Sequence, residues 1–124
     1  MNTKLLGNKG EQIAIDFLKA KNYEIRHRNI FASGNEIDIV AFDPSSDCIA
    51  FVEVKTLSDD YFQQPYEEVN AKKQKKIVRA ANSYLIRHNI DKEARFDVIS
   101  IVIKEGELPK IEHIISAFNA FDFI

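Results

Sequence analysis

Two short segments joined by a turn constrain this chain most. Glu36 to Phe42 and Cys48 to Leu57 both read as strands, and Asp43-Pro44-Ser45-Ser46-Asp47 between them has the composition of a turn. Side chains alternate across a strand, so Glu36, Asp38, Val40 and Phe42 share one face, and Ile49, Phe51, Glu53 and Lys55 share one face of the next. Each strand is apolar beside the turn and charged away from it. Pairing Phe42 with Ile49 and Val40 with Phe51 aligns the apolar ends, and the same register sets Asp38 opposite Glu53 and Glu36 opposite Lys55. The reverse faces carry Ile37, Ile39, Val52 and Val54, so this hairpin is no solvated edge. Like charges directly across a sheet destabilise it, and a cation is expected between the two carboxylates.

A hard divalent cation takes oxygen ligands, and Mg²⁺ is commonly held by one or two carboxylates together with water and substrate phosphate oxygens. Asp38 and Glu53 supply that minimum. Lys55, two residues beyond Glu53 on the same face, can hold a scissile phosphate or orient the attacking water, the layout of a phosphodiesterase. Glu11 borders the apolar stripe of the first helix near Ile15 and Leu18; it can reach in as a further acidic ligand, or merely complement the helix dipole as a first-turn acid. The bland alternative for the hairpin is a cross-strand ion pair.

The remaining segments predict a single α/β domain over residues 1–124, a length that suits one core. Leu5, Leu6, Ile13, Ala14, Phe17 and Leu18 recur at helical spacing, giving a helix from about Thr3 to Lys21, and Tyr23 to Phe31 reads as a strand. A second helix runs from Asn70 to about His88, followed by a strand over Arg95 to Lys104 that should lie parallel to Cys48–Leu57, because a crossover helix joins them. A short strand around Ile111 to Ile115 and a helical turn near Ala117 to Phe121 close the chain. Ser58 to Glu68, with Tyr61, Phe62 and Tyr66, is the longest candidate loop. A lone cysteine, Cys48, excludes an internal disulfide and fits a reducing cytoplasm. The first ten residues lack the apolar region of a signal peptide, and no apolar run approaches the ~20 residues of a membrane span. His27, His88 and His113 lack zinc-ligand spacing. Gly7-Asn8-Lys9-Gly10 lacks the ending of a phosphate-binding loop.

The formal net charge of −2 hides a local concentration. Between Val69 and Ile90 there is no acidic residue, whereas Lys72, Lys73, Lys75, Lys76, Arg79 and Arg87 all fall there. At about 100° per residue, Lys72, Lys76, Arg79 and Arg87 project together, opposite Ile77, Ala81, Tyr84 and Leu85. The ridge suits a nucleic-acid backbone, with affinity falling as salt rises, or is simply a solvated face. Gln74 projects toward the sheet, where its amide needs a partner, and is expected with Glu36 to support the site.

With these residues assembled, Lys9-Gly10-Glu11, Gly34-Asn35-Glu36-Ile37-Asp38, Phe51-Val52-Glu53-Val54-Lys55-Thr56 and Lys73-Gln74 resemble the YraN-type family of small bacterial proteins over nearly the whole chain. That family is similar to the archaeal Holliday junction resolvases of the PD-(D/E)xK nuclease superfamily. The resemblance implies a restriction-endonuclease-like αβββαβ core, with a mixed central sheet flanked by helices. It further implies Mg²⁺- or Mn²⁺-dependent cleavage of DNA, branched DNA included, and a homodimer. It matches Glu11, Asp38 and Glu53 to the acidic positions, Lys55 to the catalytic lysine, and the Val54 carbonyl to a metal contact. A second glycine is usual where Asn35 stands, and Asn tolerates the positive φ expected of that turn. Two other classes compete with the nuclease: a non-catalytic nucleic-acid-binding or adaptor domain on the same fold, and a protein-interaction module using Tyr61 to Tyr66 and Phe118 to Phe123.

Overall fold

The computed structural model describes residues 3–58 and 69–120. Helix α1 (Thr3–Ala20) buries Ala14, Ile15 and Leu18 at helical spacing and turns Asp16 and Lys19 to solvent. It ends at Asn22, whose φ of 69° is left-handed, with the Tyr23 N–H bonded back to the Leu18 carbonyl in a Schellman arrangement. Strands β1 (Glu24–Ala32), β2 (Asn35–Asp43) and β3 (Cys48–Leu57) come next as an antiparallel meander. Helix α2 (Ala71–Arg87) then crosses over to β4 (Glu93–Val102), which runs parallel to β3, and β5 (Lys110–Phe118) pairs antiparallel with β4. Five strands in the order β1-β2-β3-β4-β5 thus form one mixed sheet. Among the described residues, no helix is long and apolar enough to cross a membrane.

The sheet separates two cores. Val40, Ile49, Phe51, Phe96 and Val98 pack under α2 against Ile77, Ala81 and Tyr84. Ile39, Ala41, Ala50, Val52, Ile99 and Ile101 pack under α1 against Ala14, Ile15 and Leu18. The expected register holds at the apolar end, with Phe42 opposite Ile49 and Val40 opposite Phe51, but the pairing stops at Ile39 and Val52, so Asp38 with Glu53 and Glu36 with Lys55 are not ladder pairs as expected. The parallel relation of β3 and β4 holds as well.

Three further expectations change. The reversal between β1 and β2 uses Ser33 and Gly34, at φ 51° and 73°, while Asn35 already pairs with Ala32 in the ladder. Asn35 therefore has no need of positive φ, and its amide instead donates to the Ser33 carbonyl at 3.1 Å. Second, β5 is longer than Ile111 to Ile115: Ala117 and Phe118 continue it, because Phe118 pairs opposite Phe96 and stacks on it at 5.1 Å. The expected helical turn therefore cannot begin at Ala117, and residues 121–124 lie outside the described residues. Third, Ile37 packs with the α2-side core instead of with Ile39. The candidate aromatic loop, Tyr61 to Tyr66, also lies outside the described residues.

At the end of the sheet where β4 begins, Arg95 ties β4 to β2 and to the connection between α1 and β1. Its guanidinium bonds Asp43 at 2.7 Å, Asp97 through two nitrogens at 2.8 and 2.9 Å, and the Tyr23 hydroxyl at 2.8 Å. Asp97 is fully buried and also meets His113 Nε2 at 2.8 Å and the Ser116 N–H at 3.0 Å, where the β4–β5 register shifts. Burial opposes the charge on Asp43 and Asp97, yet these partners outweigh it and hold both carboxyls below their usual pKa. His113 is thus a satisfied structural histidine on its Nε2 side.

Gly10 sets how closely α1 approaches β3. A Cβ built there would lie 1.9 Å from Thr56 Oγ1 and 2.8 Å from its Cγ2, so Gly10 lets the helix sit directly on the strand beside Lys55. We expect Gly10→Ala to destabilise the fold by roughly 1–3 kcal/mol through overpacking, although alanine is the better helix former by about 1 kcal/mol. Adding Thr56→Ala should recover part of the loss in urea denaturation. A stabilising Gly10→Ala would mean that the contact with Thr56 does not set the spacing.

Candidate active site

The β2–β3 ladder runs from Asp43 opposite Cys48 to Ile39 opposite Val52. At the next step a side chain takes over: the Val54 N–H donates to Asp38 Oδ2 at 2.9 Å. Beyond that point regular alternation is lost, which is why Ile37 joins the α2 side, and the strands open onto a cleft of about 170 Å³. Asn35, Glu36 and Asp38 of β2, Glu53 of β3, and Lys73 and Lys76 of α2 line it.

The electrostatics of the cleft are unequal. Glu53 is 6% exposed and its Oε1 receives the Lys73 ammonium, with Lys55 Nζ 3.7 Å from the same oxygen. Burial opposes the Lys73 charge, but Glu53 more than offsets this and raises the lysine pKa. The Lys73 charge is also felt at Asp38, which it reaches less directly than Glu53. Burial first, and then the neighbouring Glu53 carboxylate, push the Asp38 pKa up to about 8 despite the Val54 N–H. Glu11 approaches from α1, and burial raises its pKa against a hydrogen bond with Asn29 and the nearby Arg28, with Glu36 and Glu53 adding to the rise; its Oε1 is buried and has no hydrogen-bond partner among the described residues.

The cleft therefore collects Asp38, Glu53 and Glu36, with Lys55 beside Glu53. Glu11 sits mid-helix, well past the first turn of α1, so the helix-dipole explanation for it fails. Gln74 is engaged elsewhere: its amide donates to the Val69 carbonyl at 2.8 Å and fixes the entry to α2, where Asn70 caps the helix through the Lys73 N–H at 3.0 Å. Lys72, Lys76, Arg79 and Arg87 are all exposed. Of these, Lys76 lines the cleft, while Arg79 and Arg87 share a separate groove with Ser33, Asn82 and Ser83.

Lys73 enters the sequence reasoning only within the Lys73-Gln74 motif and the basic run, and its place in the cleft is not foreseen there. In the sequence it is only one cation of six, yet about 100° of rotation from Lys72 sets it at the border of the apolar stripe and inside the cleft.

Among the described residues, no three His, Cys, Asp or Glu side chains converge to hold a metal by themselves. The donor set still fits a hard cation, because two adjacent carboxylates with water and a phosphate suffice for Mg²⁺. The raised Asp38 and the Glu11 Oε1, unpaired among the described residues, are both groups that a cation would stabilise.

Fold and cleft together define a mixed α/β domain, among the described residues five strands between two helices, with an acidic and lysine-bearing cleft where two strands part. The chain belongs to the uncharacterised protein family UPF0102, whose model matches residues 10–101. It is 44% identical to a UPF0102 protein of Geobacter metallireducens over 120 residues, 96% of each chain. A relative from Pelobacter propionicus is 43% identical over 114 residues, covering 91% of this chain and 81% of its own. One from Bacteroides fragilis is 42% identical over 114 residues, 92% of each. The small bacterial family expected from the motifs is the family found.

The raised pKa of Asp38 has a definite sign. Its folded value lies above the unfolded one, so its contribution is present below about pH 4 and is lost as pH rises toward about 8. Asp38→Asn keeps an oxygen for the Val54 N–H and removes the charge. In the metal-free protein we expect this variant to match or exceed the wild-type Tm at pH 8 and to lose that advantage at pH 4. An Asp38→Asn protein less stable than wild type at pH 8 would show that Asp38 is held as a structural anion.

Proposed function

We propose that this protein is a Mg²⁺- or Mn²⁺-dependent endonuclease that cleaves phosphodiester bonds of DNA, branched DNA included, in the bacterial cytoplasm. The observation that carries the reading is the meeting of Asp38 and Glu53 in one cleft with Lys55 on the same strand two residues beyond Glu53. In this reading Asp38, Glu53 and the Val54 carbonyl hold the cation, with Glu11 as a further acid nearby. The cation when bound would supply Lewis acidity and a water of lowered pKa. Lys55 stands where it can orient a phosphate oxygen or the attacking water, and Glu36 adds negative charge at the cleft wall. Lys72, Lys76 and Arg79 hold the sugar-phosphate backbone along α2. A homodimer would offer two such clefts to the paired scissile phosphates of a symmetric duplex or junction.

A non-catalytic nucleic-acid-binding domain is the second reading, and the Lys73–Glu53 ion pair favours it, because that pair neutralises a would-be metal ligand without any metal. Linear, single-stranded and four-way-junction DNA incubated with Mn²⁺ or EDTA separates the two. The nuclease should cut in Mn²⁺ and not in EDTA. Mn²⁺ at roughly 100 times Kd should stabilise it by about 2.7 kcal/mol, several degrees in Tm. Asp38→Asn should lose both effects, whereas Lys55→Met should lose cleavage and keep the thermal shift. Binding to DNA without cutting or thermal shift would favour the second reading. Reversing the charge of Lys72, Lys76 and Arg79 together should weaken DNA binding and flatten its salt dependence, by roughly 0.9 in log–log slope for each phosphate left without its cation. Unchanged binding would leave that ridge an ordinary solvated face.

A further inference from the structure

Two ammonium groups converge on one carboxylate oxygen. Lys73 Nζ contacts Glu53 Oε1, and Lys55 Nζ lies 3.7 Å from the same atom. They differ in their freedom to leave. Lys55 rises from the middle of the sheet with its side chain 19% exposed, whereas Lys73 reaches in from the first turn of α2 and is 41% exposed. The Lys73 backbone is pinned by Asn70, so motion belongs to its four-carbon stem alone. The same turn carries Lys72 and Lys76 toward solvent, the side from which a nucleic-acid backbone would arrive.

Resting on the metal-dependent reading of the cleft, we propose that Lys73 is an exchangeable counter-ion of the site. Its ammonium holds Glu53 in the metal-free protein, gives up Oε1 to an incoming divalent cation, and then takes a phosphate oxygen of the nucleic acid. Lys73 and the divalent ion compete for one oxygen, so each weakens the other's hold on Glu53. Nucleic acid, by engaging the displaced ammonium, relieves that competition, so DNA and metal reinforce each other's binding. Lys73 is thus a positioning residue that couples metal loading to substrate.

Mn²⁺ titration calorimetry without DNA tests the exchange on the intact protein. Lys73→Gln should bind Mn²⁺ roughly tenfold more tightly than wild type, the scale of one charge-assisted hydrogen bond. Lys75→Gln removes the same charge from an exposed neighbour and should shift affinity far less. Lys73→Arg retains a cation and should bind Mn²⁺ no more tightly than wild type. With Ca²⁺ added to permit binding, Lys73→Gln should also hold DNA more weakly than Lys75→Gln does. If wild type binds Mn²⁺ and Lys73→Gln binds it with equal affinity, the exchange is wrong while the metal-dependent reading stands. If none of the four proteins binds Mn²⁺, both fall together. Equal DNA affinity for the two glutamine variants would overturn the transfer of Lys73 to phosphate.

Discussion

The hydrogen bond from the Val54 N–H to the Asp38 carboxylate is the point on which this end of the molecule turns. A backbone donor in the middle of a sheet must find an acceptor, and here a side chain replaces the neighbouring strand's carbonyl. The replacement ends the β2–β3 ladder at Ile39 and Val52, lets Ile37 turn into the α2-side core, and parts the strands into a cleft. Asp38 is consequently anchored by its own strand partner while facing Glu53. Such a carboxyl group is held in place whether or not it is ionised.

A second carboxylate does the same backbone duty at the other end of the sheet and shows by contrast what is unusual about the first. Asp97 accepts the Ser116 N–H at a register shift in β4–β5, just as Asp38 accepts Val54. Around Asp97 the charge is answered by Arg95 and His113, and its pKa is held down. Around Asp38 another carboxylate stands where a guanidinium might, and its pKa is driven up. Removing one partner from a buried pair of the Arg95 kind commonly destabilises a protein by about 3–5 kcal/mol, so that end behaves as structure. At the Asp38 end burial and the Glu53 carboxylate oppose ionisation, and a group perturbed in this way marks a candidate site and not a structural anion.

Period-two alternation makes the apolar end of the hairpin register legible, because a slip of one residue would move each side chain of a strand to the other face and into the wrong core. The helices and the parallel placement of β4 are legible for similar reasons, and Asp38, Glu53 and Lys55 come with them. What alternation cannot report is where a ladder stops. Ile37 is misplaced by it because the Asp38 side chain, and not the backbone, accepts from Val54. The Arg95 network is invisible in sequence because its members, Tyr23, Asp43, Asp97 and His113, are spread from residue 23 to residue 113 and meet only through tertiary packing. Gln74 faces the sheet in projection, as its spacing predicts, but the carbonyl of Val69 at the entry to α2 takes its amide.

Helix α2 joins these observations, because one element serves both solvent and cleft through a rotation of a single residue. Lys72 and Arg79 lie exposed on its outer side, Lys76 is exposed at the rim of the cleft, and Lys73, one step of about 100° from Lys72, crosses the border of the apolar face and ends on Glu53. Asn70 and Gln74 fix that rotation by tying the first turn to the chain before it. A helix turned by one residue would present Lys72 to the cleft and withdraw Lys73 and Ile77 from their places. The capping interactions at Asn70 therefore govern more than helix stability. They decide which lysine meets the buried carboxylate, and so tie the basic ridge on the surface to the acidic pair beneath it.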